Sequence, residues 1–306
     1  MMPQFQERFH IYVLGPNQDT RLTSVAAGAL IKGITLTLDP DAPFALRGRA
    51  VRQTYTSTLT QAGLQFLKTR WTGPTESDYR QQVTISESVQ MANFGQGGNP
   101  KPIFPPVTYP ANGIIKIDVQ NTGASAIAGL TFYWIGEKLF PWGSVPAYGY
   151  PDSFSSIWFT YPQTISALGV SELRQDNILT IKTDADFALR AGQAKAPFQS
   201  EGPRTFAEVF IKLKDFNKKP YSNDFVHFDI IFGGGNPSRT IPIGPTPTLM
   251  APFGTGPAAP GLFYPELYIP KNHQLLYDLQ RSDGSGGTNQ SESFDICWIG
   301  AKVFQK

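Results

Sequence analysis

One seven-residue pattern, W-I-G-x-K-[LV]-F, occurs twice in the chain and constrains its fold more than any other feature. WIGEKLF stands at 134–140 and WIGAKVF at 298–304. A pattern that recurs at the scale of a whole domain indicates an internal repeat. The glycines at its centre, Gly136 and Gly300, are typical of a strand that bends or meets another backbone closely.

Two further pairs of similar segments precede this pattern, in the same order in both halves of the chain. ITLTLDPDAPFALR at 34–47 resembles ILTIKTDADFALR at 178–190, and FPPVTYPANGIIKIDVQ at 104–120 resembles YPELYIPKNHQLLYDLQ at 264–280. The spacing between the copies increases from 143 residues at FALR, through 160, to 164 at WIG. Collinear repeats with increasing spacing predict one fold that is present twice, with loops of different length.

Each half has the pattern of an all-β domain. Short runs rich in β-branched and aromatic residues alternate with turn-forming segments, and further strands are expected at 52–59, 81–88, 207–216 and 225–233. The 29 Gly and 26 Pro disfavour long helices. We therefore expect two tandem, internally duplicated β-sandwich domains of jelly-roll-like type with an extended N-terminal arm.

The repeats also predict the domain boundaries. Residues 1–32 precede the first repeat and are expected to form the arm. The first β-sandwich is predicted at 33–140 and the second at 173–306, joined by an aromatic and Pro-rich linker at 141–172. A Gly- and Pro-rich segment at 233–261 is predicted to be a long loop of the second domain, and loops of that length are often functional.

Composition argues against several classes of function. The net charge of +2 is too small for the basic face of a nucleic-acid-binding protein. The single cysteine, Cys297, excludes an intrachain disulfide framework and a multi-cysteine metal site. The chain contains no apolar run of membrane-spanning length, so no membrane partner is expected. Its start lacks the apolar run of a secretory signal, and synthesis in a cytoplasm is expected.

Four carboxylates are the candidates for a metal site. Asp39 and Asp41 lie in the first repeat, and Asp184 and Asp186 in the second. Carboxylates two residues apart in a turn can bind calcium, but aspartates also stabilise turns without a metal. The structural interpretation is favoured, so no metal, cofactor or catalytic residue is predicted and the chain is not expected to be an enzyme.

The basic run IKLKDFNKK at 211–219 and the remaining reactive side chains complete the candidates. Its lysines are expected on a solvated strand face, with an acidic partner surface as the alternative. Cys297 and the tryptophans of the two WIG copies are expected to pack in the core. The three histidines, scattered along the sequence, show no metal-ligand spacing.

Aromatic side chains in the arm, the linker and the long loop are the candidates for interaction with a partner. Tyr, Phe and Trp are typical of interface cores; a sugar-stacking platform is the alternative. The candidates are Phe5, Phe9, Tyr12, Tyr148, Tyr150, Phe154, Trp158, Phe159, Tyr161 and Phe253.

The two closing segments resemble those of virion structural proteins of tailed bacteriophages. In many of those proteins a β-sandwich ends with an extended strand, a loop and a closing strand. The corresponding pairs are YPANGIIKIDV with LTFYWIGEKLF, and IPKNHQLLYDL with FDICWIGAKVF. The resemblance covers the C-terminal half of each domain.

The resemblance implies a structural role in a virion, as a capsid decoration (cement) protein or as part of the head–tail collar, connector or tail. It implies other virion proteins as partners, a homo-oligomer in the assembled particle, synthesis in the host bacterial cytoplasm and localisation in the virion. The alternative is a carbohydrate- or receptor-binding module of a phage tail or fibre.

Overall fold

The chain divides into two compact β units. A computed structural model describes residues 5–53, 67–71, 95–96, 99–141, 153–195, 209–232, 261–281 and 292–305. Unit 1 comprises Met1–Gln96 with Pro100–Val145, and unit 2 comprises Gly97–Asn99 with Pro146–Lys306. The expected all-β class is confirmed, because the described residues contain only one short α-helix and one 3-10 helix.

Unit 1 consists of strands around one hydrophobic core, with a 3-10 helix at Thr20–Leu22. Its strands are β1 (Phe5–Leu14), β2 (Ser24–Val25), β3 (Leu30–Thr37), β4 (Phe44–Gln53), β5 (Leu67–Trp71), β6 (Gly95–Gln96), β7 (Asn99–Tyr109), β8 (Ile114–Asn121), β9 (Ile127–Ala128) and β10 (Leu130–Pro141).

Two sheets of unit 1 enclose its core in a sandwich-like arrangement. One has the order β1-β10-β4-β6-β7, the other has the order β3-β8-β5, and β2 pairs separately with β9. Along β8 the side chains alternate, so Ile115 and Ile117 are buried while Lys116 between them is exposed. These isoleucines share one buried cluster with Tyr12 and Trp134 of the larger sheet.

The first 32 residues belong to unit 1, which corrects the prediction of a separate arm at 1–32. Strand β1 pairs antiparallel with β10 over its whole length, from Phe5 opposite Pro141 to Leu14 opposite Phe132. Leu14, Leu22 and Val25 are fully or almost fully buried in the core cluster. Without β1 the apolar edge of β10 would face water, so the first domain is incomplete from residue 33.

Unit 2 is built from two antiparallel sheets. Its elements are β11 (Phe154–Leu168), β12 (Leu173–Thr180), β13 (Asp186–Lys195), β14 (Val209–Lys214), β15 (Val226–His227), α1 (Phe228–Phe232), β16 (Gly261–Ile269), β17 (Gln274–Arg281) and β18 (Glu292–Gln305). One sheet has the order β11-β18-β13-β16 and the other has the order β12-β17-β14-β15.

The strand pairs of the two units correspond residue by residue. Tyr12 of β1 lies opposite Trp134 of β10, and Tyr161 of β11 lies opposite Trp298 of β18. The pairs β4–β10 and β13–β18 likewise share their register and an irregularity at the same place. The pairs β3–β8 and β12–β17 also share a register shift.

Strand β11 lies in the predicted linker at 141–172, so this prediction is also corrected. Residues 154–168 form a strand that pairs with β18 in the same way as β1 pairs with β10. The two strands have little sequence in common beyond a phenylalanine followed seven residues later by a tyrosine, Phe5 with Tyr12 and Phe154 with Tyr161. The sequence comparison missed this repeat because so few positions are shared.

The segment at 225–233 is largely helical instead of forming the predicted strand. Only Val226–His227 pair as a strand, and α1 follows immediately. Phe228, Ile230 and Ile231 are all buried, and a short continuous apolar run of this kind does not distinguish a buried strand from a buried helix. The predicted strand at 81–88, most of the predicted strand at 52–59 and almost all of the predicted long loop at 233–261 lie outside the described residues.

Deletion of residues 1–28 is expected to unfold unit 1. The deletion removes β1 with its core residues Tyr12 and Leu14, as well as Leu22 and Val25. Truncating one large core side chain costs about 2–5 kcal/mol, and a whole domain is stable by only about 5–15 kcal/mol. Amide hydrogen exchange read by mass spectrometry should show loss of protection in β8 and β10. Native protection from exchange in β8 and β10 would contradict this expectation and support the prediction of a separate arm.

Candidate functional site

The WIG pattern marks a close contact between two backbones in each unit. Gly136 of β10 lies opposite Leu46 of β4, and a Cβ atom added to this glycine would overlap the Ala45 carbonyl oxygen. Gly300 of β18 has the same relation to the Ala188 carbonyl oxygen of β13. The predicted close approach of another backbone at both glycines is confirmed.

A bulge lies directly beside each of these glycines, and an arginine occupies it. The register between β4 and β10 shifts at Arg47, and that between β13 and β18 shifts at Arg190. Arg47 donates to the carboxylate of Glu137, which is fully buried; burial raises the pKa of this carboxyl above its ordinary value. Unit 2 has alanine at the place of Glu137, and Arg190 pairs with Glu266 instead.

The lysine of the motif in unit 1 is bound by the aspartates that were candidates for calcium. The Lys138 ammonium lies 2.5 Å from Asp39 Oδ2 and 2.9 Å from Asp41 Oδ1. The lysine side chain is almost fully buried, and its ammonium lies 5.9 Å above the Tyr12 ring. In unit 1 the cation that lies between the carboxylates of Asp39 and Asp41 is therefore the ammonium group of Lys138.

The corresponding lysine of unit 2 has one aspartate instead of two. Lys302 Nζ lies 2.5 Å from Asp184 Oδ2, and this hydrogen bond holds the pKa of the Asp184 carboxyl below its ordinary value. Asp186 accepts hydrogen bonds from the Tyr268 hydroxyl and the Lys271 backbone N–H. The register matches Asp184 with Asp41, so the sequence alignment of the two Asp-x-Asp pairs was displaced by two residues.

The part of the chain that the structure describes contains no group of three or more His, Cys, Asp or Glu side chains that could hold a metal ion. His10 packs its ring on Tyr12, and His227 packs on Phe210. His273 packs on a different side chain, Phe216. The three imidazoles therefore occupy three separate places.

A tyrosine hydroxyl anchors the turn beside the lysine in both units. The Tyr12 hydroxyl accepts the Asp39 backbone N–H at 2.9 Å, and the Tyr161 hydroxyl accepts the Lys182 backbone N–H at 3.2 Å. Burial is the main cause that raises the pKa of Tyr12 above its ordinary value. Both hydroxyls therefore hold the backbone of the turn in place.

The motif tryptophans are fully buried in both units, as expected, but their indole N–H groups have different surroundings. Trp298 Nε1 donates to Gln163 Oε1 at 2.7 Å, and the Tyr277 hydroxyl donates to the same oxygen at 3.2 Å. Unit 1 has Leu14 at the place of Gln163, and Trp134 Nε1 has no hydrogen-bond partner there. Both rings are core residues.

A second repeated aspartate supports a bulge in the smaller sheet of each unit. The Asp118 carboxylate accepts the Gly33 backbone N–H, and the Asp278 carboxylate accepts the Asp176 backbone N–H. Gly33 and Asp176 both have positive φ angles, 64° and 52°. Such a bulge leaves one N–H without its ladder partner, and the carboxylate supplies the missing acceptor.

The basic run at 211–219 is largely neutralised within unit 2. Lys214 Nζ lies 2.7 Å from both Asp176 Oδ1 and Asp278 Oδ1, and Lys218 Nζ lies 2.8 Å from Asp176 Oδ2. These hydrogen bonds lower the pKa of Asp176 to about 2. Lys212 lies near the Phe225 ring and the Asn223 carbonyl oxygen. The pairing favours a structural use of the run over an acidic partner surface.

The aromatic interaction candidates separate into buried and exposed groups. Phe9, Tyr12 and Tyr161 are buried and cannot contact a partner, which corrects their assignment. Phe159 is half-buried, with the Lys302 ammonium 4.2 Å above its ring. The backbone of Phe5 pairs in β1. Three further candidates, Tyr148, Tyr150 and Phe253, lie outside the described residues.

Exposed apolar side chains concentrate at the start of β11. Phe154 is 40% exposed, Ile157 54% and Trp158 46%. We call these three residues the β11 patch. The sequence analysis identified Phe154 and Trp158 but missed Ile157, because it considered aromatic residues alone. Burying exposed side chains of this size in an interface is favourable, so the patch is the candidate functional site.

No protein-family model matches the chain, and no curated protein is significantly similar to it. In the described part of the chain, no helix is both long enough and apolar enough to span a membrane.

Cys297 lies half-buried in β18, and burial raises the pKa of its thiol.

Substituting alanine for either motif glycine is expected to destabilise the corresponding unit. A Cβ at Gly136 or Gly300 would overlap a backbone carbonyl oxygen, which cannot move away as a flexible side chain can. We expect each substitution to lower the free energy of unfolding by at least about 2 kcal/mol, measured by urea unfolding. Gly169→Ala is the control, since its Cβ would meet only the end of the Glu172 side chain. Equal effects at all three positions would contradict the close-contact explanation.

Acid is expected to weaken unit 2 through Asp176. The pKa of this carboxyl is about 2 in the folded protein, below its ordinary 3.8, because Lys214 and Lys218 hydrogen-bond to the charged form. Its contribution to stability is therefore complete above pH about 4 and is lost as the pH falls towards about 2. Urea unfolding across this range should show a shallower pH dependence for Asp176→Asn, since asparagine also tolerates a positive φ. An unchanged slope at low salt would refute the assignment.

Proposed function

We propose that the chain is a structural component of a bacteriophage virion that binds neighbouring capsid, head–tail or tail proteins as a decoration (cement) or collar protein. The observation that carries this proposal is the β11 patch. Exposed Phe and Trp side chains on a sheet edge are suited to burial against another protein, and tryptophan is enriched among the residues that dominate interface energies. The resemblance of the two closing segments to virion proteins supplies the setting.

The charged groups of the repeated motifs support the same interpretation. Lys138 and Lys302 are each held by aspartates of their own unit, and Lys214 lies between Asp176 and Asp278. In each case the opposite charges are used to join strands and turns. We interpret the matched registers of the two units as an internal duplication. We also propose that each unit has jelly-roll connectivity.

A carbohydrate- or receptor-binding module of a tail or fibre is the second candidate. Trp158 favours it, because an indole ring that is 46% exposed offers an apolar face on which a sugar can stack. The two candidates differ in what the patch contacts. A glycan-array signal that disappears in Trp158→Ala would favour the module, whereas a structural protein gives no such signal.

Purified virions of the phage that encodes the chain provide the test of the structural role. Quantitative mass spectrometry should find the protein at a fixed ratio to the major capsid protein. Trp158→Ser should reduce incorporation by more than about tenfold, since the loss of an interface tryptophan typically costs at least about 2 kcal/mol.

Leu173→Ser is the matched control for this experiment. Leu173 is 48% exposed, like Trp158, but lies on β12 in the other sheet of unit 2. It should leave incorporation unchanged. Absence of the protein from purified virions would contradict the structural role, and equal losses for both variants would contradict the assignment of the patch.

A further inference from the structure

Strand β11 is a sheet edge without charged residues. Its sequence, FSSIWFTYPQTISAL, contains no Asp, Glu, Lys or Arg over 15 residues. Among the strands that the structure describes, β11 pairs only with β18, so one side of its backbone faces away from the sheet. An edge of this kind presents donors and acceptors that can pair with a further strand.

The first half of β11 is the accessible half. All five residues from Phe154 to Trp158 are exposed, although alternate side chains point to opposite faces of the sheet. The second half is bound within the unit: Gln163 donates to the Ile178 carbonyl oxygen, and Arg174 donates to the carbonyl oxygens of two residues near the end of β11. A pairing segment would therefore dock along the first half of the strand.

The chain contains a matched comparison for this edge in β1. When β1 and β11 are aligned at the corresponding residues Tyr12 and Tyr161, Ser156 and Ile157 of β11 correspond to Glu7 and Arg8 of β1. Charged residues on an edge strand oppose pairing with another chain. The same place in the fold thus carries two charges in unit 1 and none in unit 2.

Burial differs in the same direction between the two edges. Phe9 of β1 is 3% exposed, whereas Trp158 at the corresponding place in β11 is 46% exposed. The charged edge therefore keeps its large aromatic residue inside, and the uncharged edge presents it to solvent. Both differences make β11 the better docking edge.

We propose that two copies of the chain pair antiparallel through the first half of β11, from Phe154 to Thr160, so that the two Ile157 residues face each other at the twofold axis. In a twofold interface each edge meets an identical edge, so a charge close to the axis would face a like charge. The uncharged sequence of β11 avoids this repulsion, and its serine and threonine hydroxyls can hydrogen-bond across the strands. The inference rests on the proposed role of the β11 patch as an interface and names its partner.

Sedimentation velocity of the full chain over a concentration series tests the pairing. The native chain should convert from monomer to dimer as the concentration rises. Ile157→Arg introduces the residue that β1 has at the corresponding place, and it should weaken the dimer by more than about tenfold, equivalent to about 1.4 kcal/mol. A native chain that stays monomeric up to about 1 mM, or a dimer that Ile157→Arg leaves unchanged, overturns the proposal.

Ile178→Arg is the matched control. Ile178 is 45% exposed and lies on β12, the edge strand of the other sheet of unit 2. This variant should dimerise like the native chain, and equal weakening by both arginines would overturn the assignment to β11. Thermal unfolding of both variants establishes that each remains folded.

Cysteine cross-linking tests the geometry independently. Mild oxidation should join Ile157→Cys into a covalent dimer, and Ile178→Cys should stay monomeric. Cys297 is present in both variants, so its own reactivity cancels in the comparison. Equal cross-linking of the two variants contradicts a β11 interface.

The virion experiment distinguishes failure of this inference from failure of the proposed function. A monomeric native chain with incorporation that depends on Trp158 would overturn self-pairing and leave a virion protein of another sequence as the partner. A dimer that depends on Ile157, with no protein in virions, would support self-pairing and overturn the structural role.

Discussion

The close contact between two backbones at Gly136 and Gly300 is the constraint on which each unit depends. At both places a carbonyl oxygen of the neighbouring strand occupies the volume of a Cβ atom. The contact is possible because the neighbouring strand bulges at an arginine directly afterwards. It brings the lysine two residues later to the end of the sheet, where its ammonium is bound by two aspartates of the adjoining turn in unit 1 and by one in unit 2.

Both units have this backbone contact, but the polar side chains around it have different partners in the two units. Glu137 neutralises the bulge arginine of unit 1, and Glu266 from a different strand does so in unit 2. Gln163 accepts the indole N–H of Trp298, whereas unit 1 has leucine at that place and a buried indole N–H without an acceptor. An unpaired buried donor costs about 1–3 kcal/mol. The two cores thus share their backbone geometry more strictly than their polar contacts.

The sequence was informative where the backbone restricts the residue. Gly136 and Gly300 could be matched because no other residue fits, and the alternating strands showed the all-β class. The structural correspondence between β1 and β11 was missed because a strand edge tolerates many residues, and only a phenylalanine and a tyrosine recur. The aspartates were matched two residues out of place, because sequence alone cannot tell which carboxylate the lysine reaches. The exposure of Ile157 depends on tertiary structure and has no sequence signal.

Two units with matched strand pairs in one chain allow the requirements of folding to be separated from those of function. The residues at WIG, at the turn tyrosines and at Asp118 and Asp278 recur because each unit needs them. Strands β1 and β11 occupy the same place, but one carries Glu7 and Arg8 above a buried phenylalanine and the other exposes Ile157 and Trp158. Folding does not require this difference, because unit 1 maintains the same pairing with charged residues. The recurrent motif is therefore scaffold, and interaction is best sought where the two units diverge.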